Sequence, residues 1–344
     1  MKIKPVILCG GSGTRLWAKS KKNPVKQFID FGGWNLFQKT LERIKNPLFD
    51  YPIISTNISY LNLVRKNLLK YKIKKYKIIL EPQKRNTAPA ILAASLDHNI
   101  QENQPIIFLS SDHLIESKKK FIYQIKKNKK KLTNKNIFIF GIKPSFPSNQ
   151  FGYFLSKRIN NIDKVKNFIE KPNMIKAKKI IKQGAFWNSG MFLLRKDSII
   201  NNFKKFEKKI YQNTLHAFKK AKVKKNICFL NKKAFAKNPI KSFDHAILEK
   251  TKDIYAIKLK IKWSDLGSWR EILLMFNNNK SKYFKKKNTF YRPWGKYTNL
   301  FKGNKFLIKE LYIKKNGILS LQKHFHRSEH WVVTQGIAKI TLNK

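Results

Sequence analysis

A regular alternation of short β-branched runs with longer helical stretches, kept up over about 270 residues, constrains this chain more than any other feature. Ile3–Cys9, Pro52–Thr56, Tyr76–Leu80, Pro105–Ser110 and Ile137–Gly141 read as strands. Leu36–Ile44, Ile58–Tyr71, Ala88–Asn99 and Phe121–Leu132 read as helices. Elements alternating in this way predict an α/β fold with a mixed, mostly parallel sheet covered on both faces. Ligands of such sheets lie at the carboxyl ends of the strands. An Asn/Lys-rich stretch, 276–290, reads as a linker. Beyond it the pattern alternates with period 2 and turns at Asn316–Gly317, which predicts strands. The expected organisation is one α/β domain over 1–275, the linker, and a short β segment over 291–344.

The charge is lopsided: 75 Lys+Arg against 19 Asp+Glu, a formal +56. Such an excess suits a polyanion partner. Only nine of these bases are arginine, however, and the 66 lysines travel with Asn and Ile along the whole chain, as at 126–140 and 276–288. Lys, Asn and Ile are the residues that A+T-rich coding DNA favours, whereas nucleic-acid readers lean on Arg. Nucleic acid is therefore not the expected partner, although small anionic substrates would gain some steering from the field. Apolar runs such as Ile106–Leu109 fall far short of the ~20 residues that span a bilayer, so no membrane partner is expected either. Pro5–Cys9 runs straight into glycines with no export-signal pattern. Cys9 and Cys228 cannot build a disulfide framework or a four-thiolate zinc site. A reduced, cytoplasmic protein is the expectation.

The first strand leads into Gly10-Gly11-Ser12-Gly13-Thr14-Arg15-Leu16. A glycine-rich turn after a strand lets backbone N–H groups approach a phosphate, and a following helix N-terminus adds its dipole. No Gly-Lys-Ser/Thr follows, so this is not a Walker loop, and Leu16 stands where the dinucleotide fingerprint needs a third glycine. Asp112 follows the apolar strand at a carboxyl end, where its hard oxygens suit Mg²⁺; a capping aspartate is the plainer alternative.

Further blocks follow in a fixed order. After GGSGTRLW come Lys26-Gln27-Phe28, EPQKRNTAPAI (81–91), SSDH (110–113), FGYF (151–154), FIEKP (168–172), FWNSGMF (186–192), SFDHAILEKT (242–251) and WSDLGSW (263–269). Together these resemble the sugar-phosphate nucleotidyltransferases, in particular the mannose-1-phosphate guanylyltransferases of the type fused to a cupin phosphomannose isomerase domain. The resemblance implies a Rossmann-like catalytic domain that converts GTP and mannose 1-phosphate to GDP-mannose and pyrophosphate with Mg²⁺. Attack of a sugar-phosphate oxygen on an α-phosphate asks a protein mainly for positioning and charge neutralisation, which these residue types supply.

Residue by residue, the resemblance makes Arg15, Lys26 and Asp112 catalytic, with the two cations over the departing pyrophosphate. It makes Asp112 and Asp265 the Mg²⁺ ligands. The nucleotide falls to Gly10, Gly11, Ser12, Gly13, Thr14, Glu81, Arg85, Asn86 and Thr87. The sugar phosphate falls to Gly152, Glu170, Lys171 and Asn188. Without the resemblance, the residues alone do not choose among G, T, U and A. The chain also departs from the family pattern. Pro24-Val25 precedes Lys26 where proline usually stands directly before the lysine, and Asn149-Gln150-Phe151-Gly152-Tyr153 replaces Thr-Gly-Tyr-Gly-Tyr. Moving the proline changes which φ is locked, so weaker catalysis of the same reaction is expected.

The C-terminal stretch resembles the opening of a cupin barrel, with His324, His326 and Glu329 at the cupin metal spacing as a vestigial metal set. The second cupin motif does not follow before Lys344, so isomerase activity is expected to be absent. This stretch is expected to pack on the catalytic domain or to mediate self-association into a homo-oligomer. Two alternatives compete: a related nucleotidyltransferase using another sugar phosphate or nucleotide, and a catalytically impaired, lysine-rich polyanion binder.

Overall fold

The apolar runs become strands because each is buried on both faces, which leaves pairing as the outlet for their backbone groups. A computed structural model describes residues 1–11, 25–31, 33–267, 289–302, 307–320, 322 and 329–341. They fall into two units, one drawn from Met1–Ser12 and Leu36–Trp263, the other from Gly13–Asn35 and Ser264–Lys344. In the first unit the strands are β1 (Lys4–Cys9), β2 (Ile53–Asn57), β3 (Lys77–Glu81), β4 (Pro105–Ser110), β5 (Leu114–Ile115), β6 (Ile137–Ile142), β7 (Tyr153–Ile159), β8 (Ile162–Ile169), β9 (Phe186–Arg195), β10 (Lys222–Lys224), β11 (Ile227–Phe229) and β12 (Ile254–Leu259). The helices are α1 (Leu36–Ile44), α2 (Leu61–Lys70), α3 (Thr87–Ser95), α4 (Lys118–Lys129), α5 (Met174–Lys182), α6 (Lys196–Phe206), α7 (Lys208–Lys219) and α8 (Lys232–Ala236).

One 11-stranded sheet runs β10-β11-β3-β2-β1-β4-β9-β6-β12-β8-β7. From β11 to β4 it is parallel, as the alternation predicted: β1 pairs with β2 and β4, β2 with β3 and β3 with β11, while β10 is antiparallel at the edge. β9 then enters antiparallel between β4 and β6, and β7 and β8 form an antiparallel hairpin. The sheet is therefore mixed. The parallel run brings the ends of β1, β3 and β4, hence Gly10, Glu81 and Asp112, to one edge.

β6 shows why the sheet is covered on both sides. Ile137 and Ile139 enter a core shared with Ala88–Ala94 of α3, Ile199 and Phe203 of α6, and Ala217 and Phe218 of α7. On the opposite face Phe140 meets Phe121 of α4 at 5.6 Å and Phe138 stacks on Tyr255 at 5.6 Å. Helix α3 is apolar all round and buried all round, as such a sequence must be.

In the second unit, the short strand β13 (Trp263–Ser264) begins at the unit boundary, and β14 (Thr289–Arg292), β15 (Gly295–Lys302) and β16 (Leu307–Ile313) form an antiparallel sheet. The turn at Asn316–Gly317 is present: Gly317 N donates to Lys314 O at 2.9 Å and Asn316 has φ +61°. Residues 329–341 carry the alternating pattern but form no strand among the described residues. A strand needs a partner edge, and Trp331, Val332, Val333 and Ile337 stand exposed. No helix among the described residues is long and apolar enough to cross a membrane.

Candidate active site

On the side expected to hold a nucleotide, β1 ends at Gly10-Gly11 and the end of β3 delivers Glu81 beside it. A Cβ built on Gly10 would lie 3.5 Å from Glu81 Oε1. The Ser55 hydroxyl donates to that same oxygen at 2.8 Å, and Asn57 Nδ2 donates to the Glu81 carbonyl at 3.1 Å. Burial pushes the Glu81 carboxyl up to about 7, against the pull of the Ser55 bond. Asn86 then caps α3, its side chain accepting from Thr87 N at 2.8 Å, and holds a left-handed φ of +66°. A non-glycine residue tolerates that conformation only where its surroundings enforce it. Here they do: Lys241 N donates to Arg85 O (3.3 Å), Ala88 N to Lys241 O (3.1 Å) and Phe243 N to Thr87 Oγ1 (2.9 Å). The guanidinium of Arg85 turns to the carbonyl of Ala236 in α8. Ser12, Gly13, Thr14 and Arg15 lie outside the described residues.

The side expected to hold the sugar phosphate is built by strand register. Tyr153 pairs with both Ile169 of β8 and Trp187 of β9, which sets Gly152 beside Glu170 and Asn188. Asn188 N donates to Gly152 O at 2.7 Å. A Cβ on Gly152 would run into Glu170 Oε2, so a larger residue here would displace that carboxylate. Glu170 is buried and pairs with the exposed Lys171 ammonium at 3.1 Å. Lys171 takes a left-handed φ of +44°, a second strained position within a proposed site. Phe151 lies against Trp187 (4.8 Å) and Trp263 (5.6 Å), which stiffens the loop entering Gly152. One carboxylate stands here that was legible only as part of a block: Asp244. Its Oδ1 accepts from Asn188 Nδ2 at 2.7 Å. Burial first and Glu170 second push its carboxyl up to about 7.

Residues 4–282 match the nucleotidyl transferase family, and 278–344 match the mannose-6-phosphate isomerase C-terminal family. The chain belongs to the nucleotidyl transferase family. A mannose-1-phosphate guanylyltransferase of Salmonella montevideo is 29% identical, with 99% of this chain and 88% of that protein aligned. The xanthan biosynthesis protein XanB of Xanthomonas campestris pv. campestris (strain B100) is also 29% identical, over 98% and 87%. Among solved structures, a mannose-6-phosphate isomerase from Helicobacter pylori superposes with TM-score 0.68 at 29% identity, covering 77% of this chain and all of that one.

Members of this nucleotidyl transferase family generally work with a divalent metal. Asp112 follows β4 as expected, in the first unit, partly exposed and 3.8 Å from His113 Nε2. In the second unit Asp265 is buried, accepts from Gly267 N at 3.2 Å, and precedes Leu266 at φ +45°. Lys26 there is buried in a short turn, its ammonium donating to the Asp265 carbonyl. Both carboxylates offer the hard oxygens that a Mg²⁺-like ion prefers, and such an ion keeps waters for its other positions. Each carboxylate by itself thus suits such an ion in chemistry, and no group of three His, Cys, Asp or Glu ligands gathers among the described residues. Of the cupin set, Glu329 is exposed and accepts from Trp331 Nε1 at 3.1 Å, while His324 and His326 lie outside the described residues.

Proposed function

We propose that this chain transfers GMP from GTP to mannose 1-phosphate, releasing pyrophosphate and forming GDP-mannose, in the cytoplasm. The observation that carries this reading is one sheet edge presenting Gly10 with Glu81 and, beyond β9, Gly152 with Glu170, Lys171 and Asn188, in a chain whose relatives bear guanylyltransferase names. The catalytic domain would span 1–275, with 276–290 linking to the β segment 291–344. Backbone N–H groups at Gly10–Thr14 would cradle the triphosphate, and Glu81 with the Arg85–Thr87 loop would hold the nucleoside. Glu170 would accept from sugar hydroxyls, and Lys171 would neutralise the sugar's phosphate. That phosphate's oxygen attacks the α-phosphorus as the bond to the β-phosphate oxygen breaks. Arg15 and Lys26 would offset the charge on the departing pyrophosphate. Asp112 and Asp265 would hold Mg²⁺, which when bound neutralises phosphate charge.

The test is pyrophosphate release with mannose 1-phosphate, Mg²⁺ and each of the four nucleoside triphosphates. Turnover with GTP alone supports the reading. Turnover with another base or sugar phosphate moves it to a sister reaction. No turnover, with steeply salt-dependent RNA binding, favours the polyanion binder.

A further inference from the structure

We propose that Asp244 is a specificity-determining residue of the sugar subsite, its carboxylate and that of Glu170 together bracketing two neighbouring hydroxyl groups of the hexose 1-phosphate. This rests on the reading of the chain as a sugar-phosphate nucleotidyltransferase.

The Asn188 amide is already committed at both ends. Its Nδ2 donates to Asp244 Oδ1 at 2.7 Å, and its Oδ1 accepts from Gly190 N at 3.2 Å. Asp244 thus fixes which way the amide faces, leaving one N–H and one lone pair of Asn188 for a ligand. Glu170 is paired with Lys171, and its Oε2 occupies the space that a side chain at position 152 would fill. One oriented amide thus lies against Asp244, with Glu170 close enough for the two acids to repel.

Nothing structural asks for a second acid there. In a chain with 75 basic and 19 acidic residues, no Lys or Arg among the described residues forms an ion pair with Asp244. An asparagine would accept the Asn188 bond without repulsion from Glu170. The half-buried acid is instead held near another acid, and its carboxyl rises to about 7, a cost that hydroxyl donors would offset. Hydroxyls suit the pair because each carboxylate oxygen only accepts, and a sugar diol supplies adjacent O–H donors. A phosphate would be repelled by the same pair and directed toward Lys171, so the two ends of the ligand are told apart by charge.

Positioning is also built in. Asp244 opens a π-helical turn, Asp244–Leu248, of the kind that recurs at functional sites. Its neighbour Phe243 is tied by N–H to Thr87 Oγ1 in the nucleotide loop.

The experiment uses the full chain and its Asp244→Asn variant, with thermal melts to confirm folding and steady-state kinetics varied in each substrate. The KM for mannose 1-phosphate should rise about 10- to 100-fold, as for loss of a charged hydrogen bond, while the KM for GTP stays within about threefold. The 2-, 3- and 4-deoxy analogues of mannose 1-phosphate add a readout that a structural role would not move. One of them should weaken the wild type strongly yet cost Asp244→Asn almost nothing. Should Asp244→Asn misfold, Asp244→Ser takes its place. A wild type that turns over, with a folded variant whose sugar KM and deoxy penalties are unchanged, overturns this proposal and leaves the proposed function standing. A wild type inert with every hexose 1-phosphate and nucleotide overturns both.

Discussion

Gly10 beside Glu81 and Gly152 beside Glu170 repeat one device, a glycine facing a buried carboxylate, with opposite settings. At Gly10 an added Cβ would meet Glu81 Oε1 at an ordinary 3.5 Å; at Gly152 it would overlap Glu170 outright. Glu81 has a neutral partner, the Ser55 hydroxyl, and burial lifts its carboxyl to about 7. Glu170 pairs with Lys171, and burial beside it lifts the carboxyl of Asp244. One side is roomy and low in charge; the other is tight and ionic. The difference matches the proposed ligands, since a nucleobase is neutral and a sugar phosphate carries its charge at one end.

Asp112→Ala is expected to have the largest effect, because the metal ligand proposed there would serve both sides at once. Pyrophosphate release should fall roughly a thousandfold, as befits several kcal/mol of transition-state stabilisation. A fall confined to the KM of one substrate would break the symmetry assumed here. Next comes Glu81→Gln, read by thermal melts across pH. The folded Glu81 keeps a proton that the unfolded chain gives up near 4.5, so its stabilising contribution is complete below that pH and is lost as pH rises to about 7. Removing it should flatten stability over that window by on the order of 3 kcal/mol. Some slope should remain, because Asp244 titrates in the same window. Gly152→Ala should then cost about 1–3 kcal/mol of stability through overpacking and raise the KM for the sugar phosphate, whereas Gly10→Ala should stay within about 0.5 kcal/mol. Equal melting losses at the two glycines would erase the contrast. Smallest is Asn86→Ala, expected to cost about 1 kcal/mol from the lost cap and the strained φ, with Asn86→Gly nearly neutral.

The parallel half was legible because a buried strand between helices is an apolar run of a set length: Pro105–Ser110 and Leu36–Ile44 fall where periodicity put them. The position of Asp112 at a strand end followed from that placement, while its site role rested on the resemblance. Partners are another matter. Phe186–Arg195 is apolar enough for a strand, yet nothing in it says that it enters antiparallel between β4 and β6. The pairing of Tyr153 with Ile169 and Trp187 is a register, and register depends on both chains at once. Asp244 was hidden for the same reason, since its neighbours Asn188 and Glu170 are 56 and 74 positions away. The alternation over 329–341 shows the converse: a pattern fit for a strand forms none among the described residues.

β9 has one further consequence, for the order of synthesis. Among the described residues it alone joins β10-β11-β3-β2-β1-β4 to β6-β12-β8-β7 within the sheet. A nascent chain that has not yet released Phe186–Arg195 from the ribosome therefore carries the facing edges of β4 and β6 with their backbone groups open, the condition under which sheets recruit strands from other molecules. The strand that supplies Asn188 to the sugar side is also the one whose arrival ends that exposure.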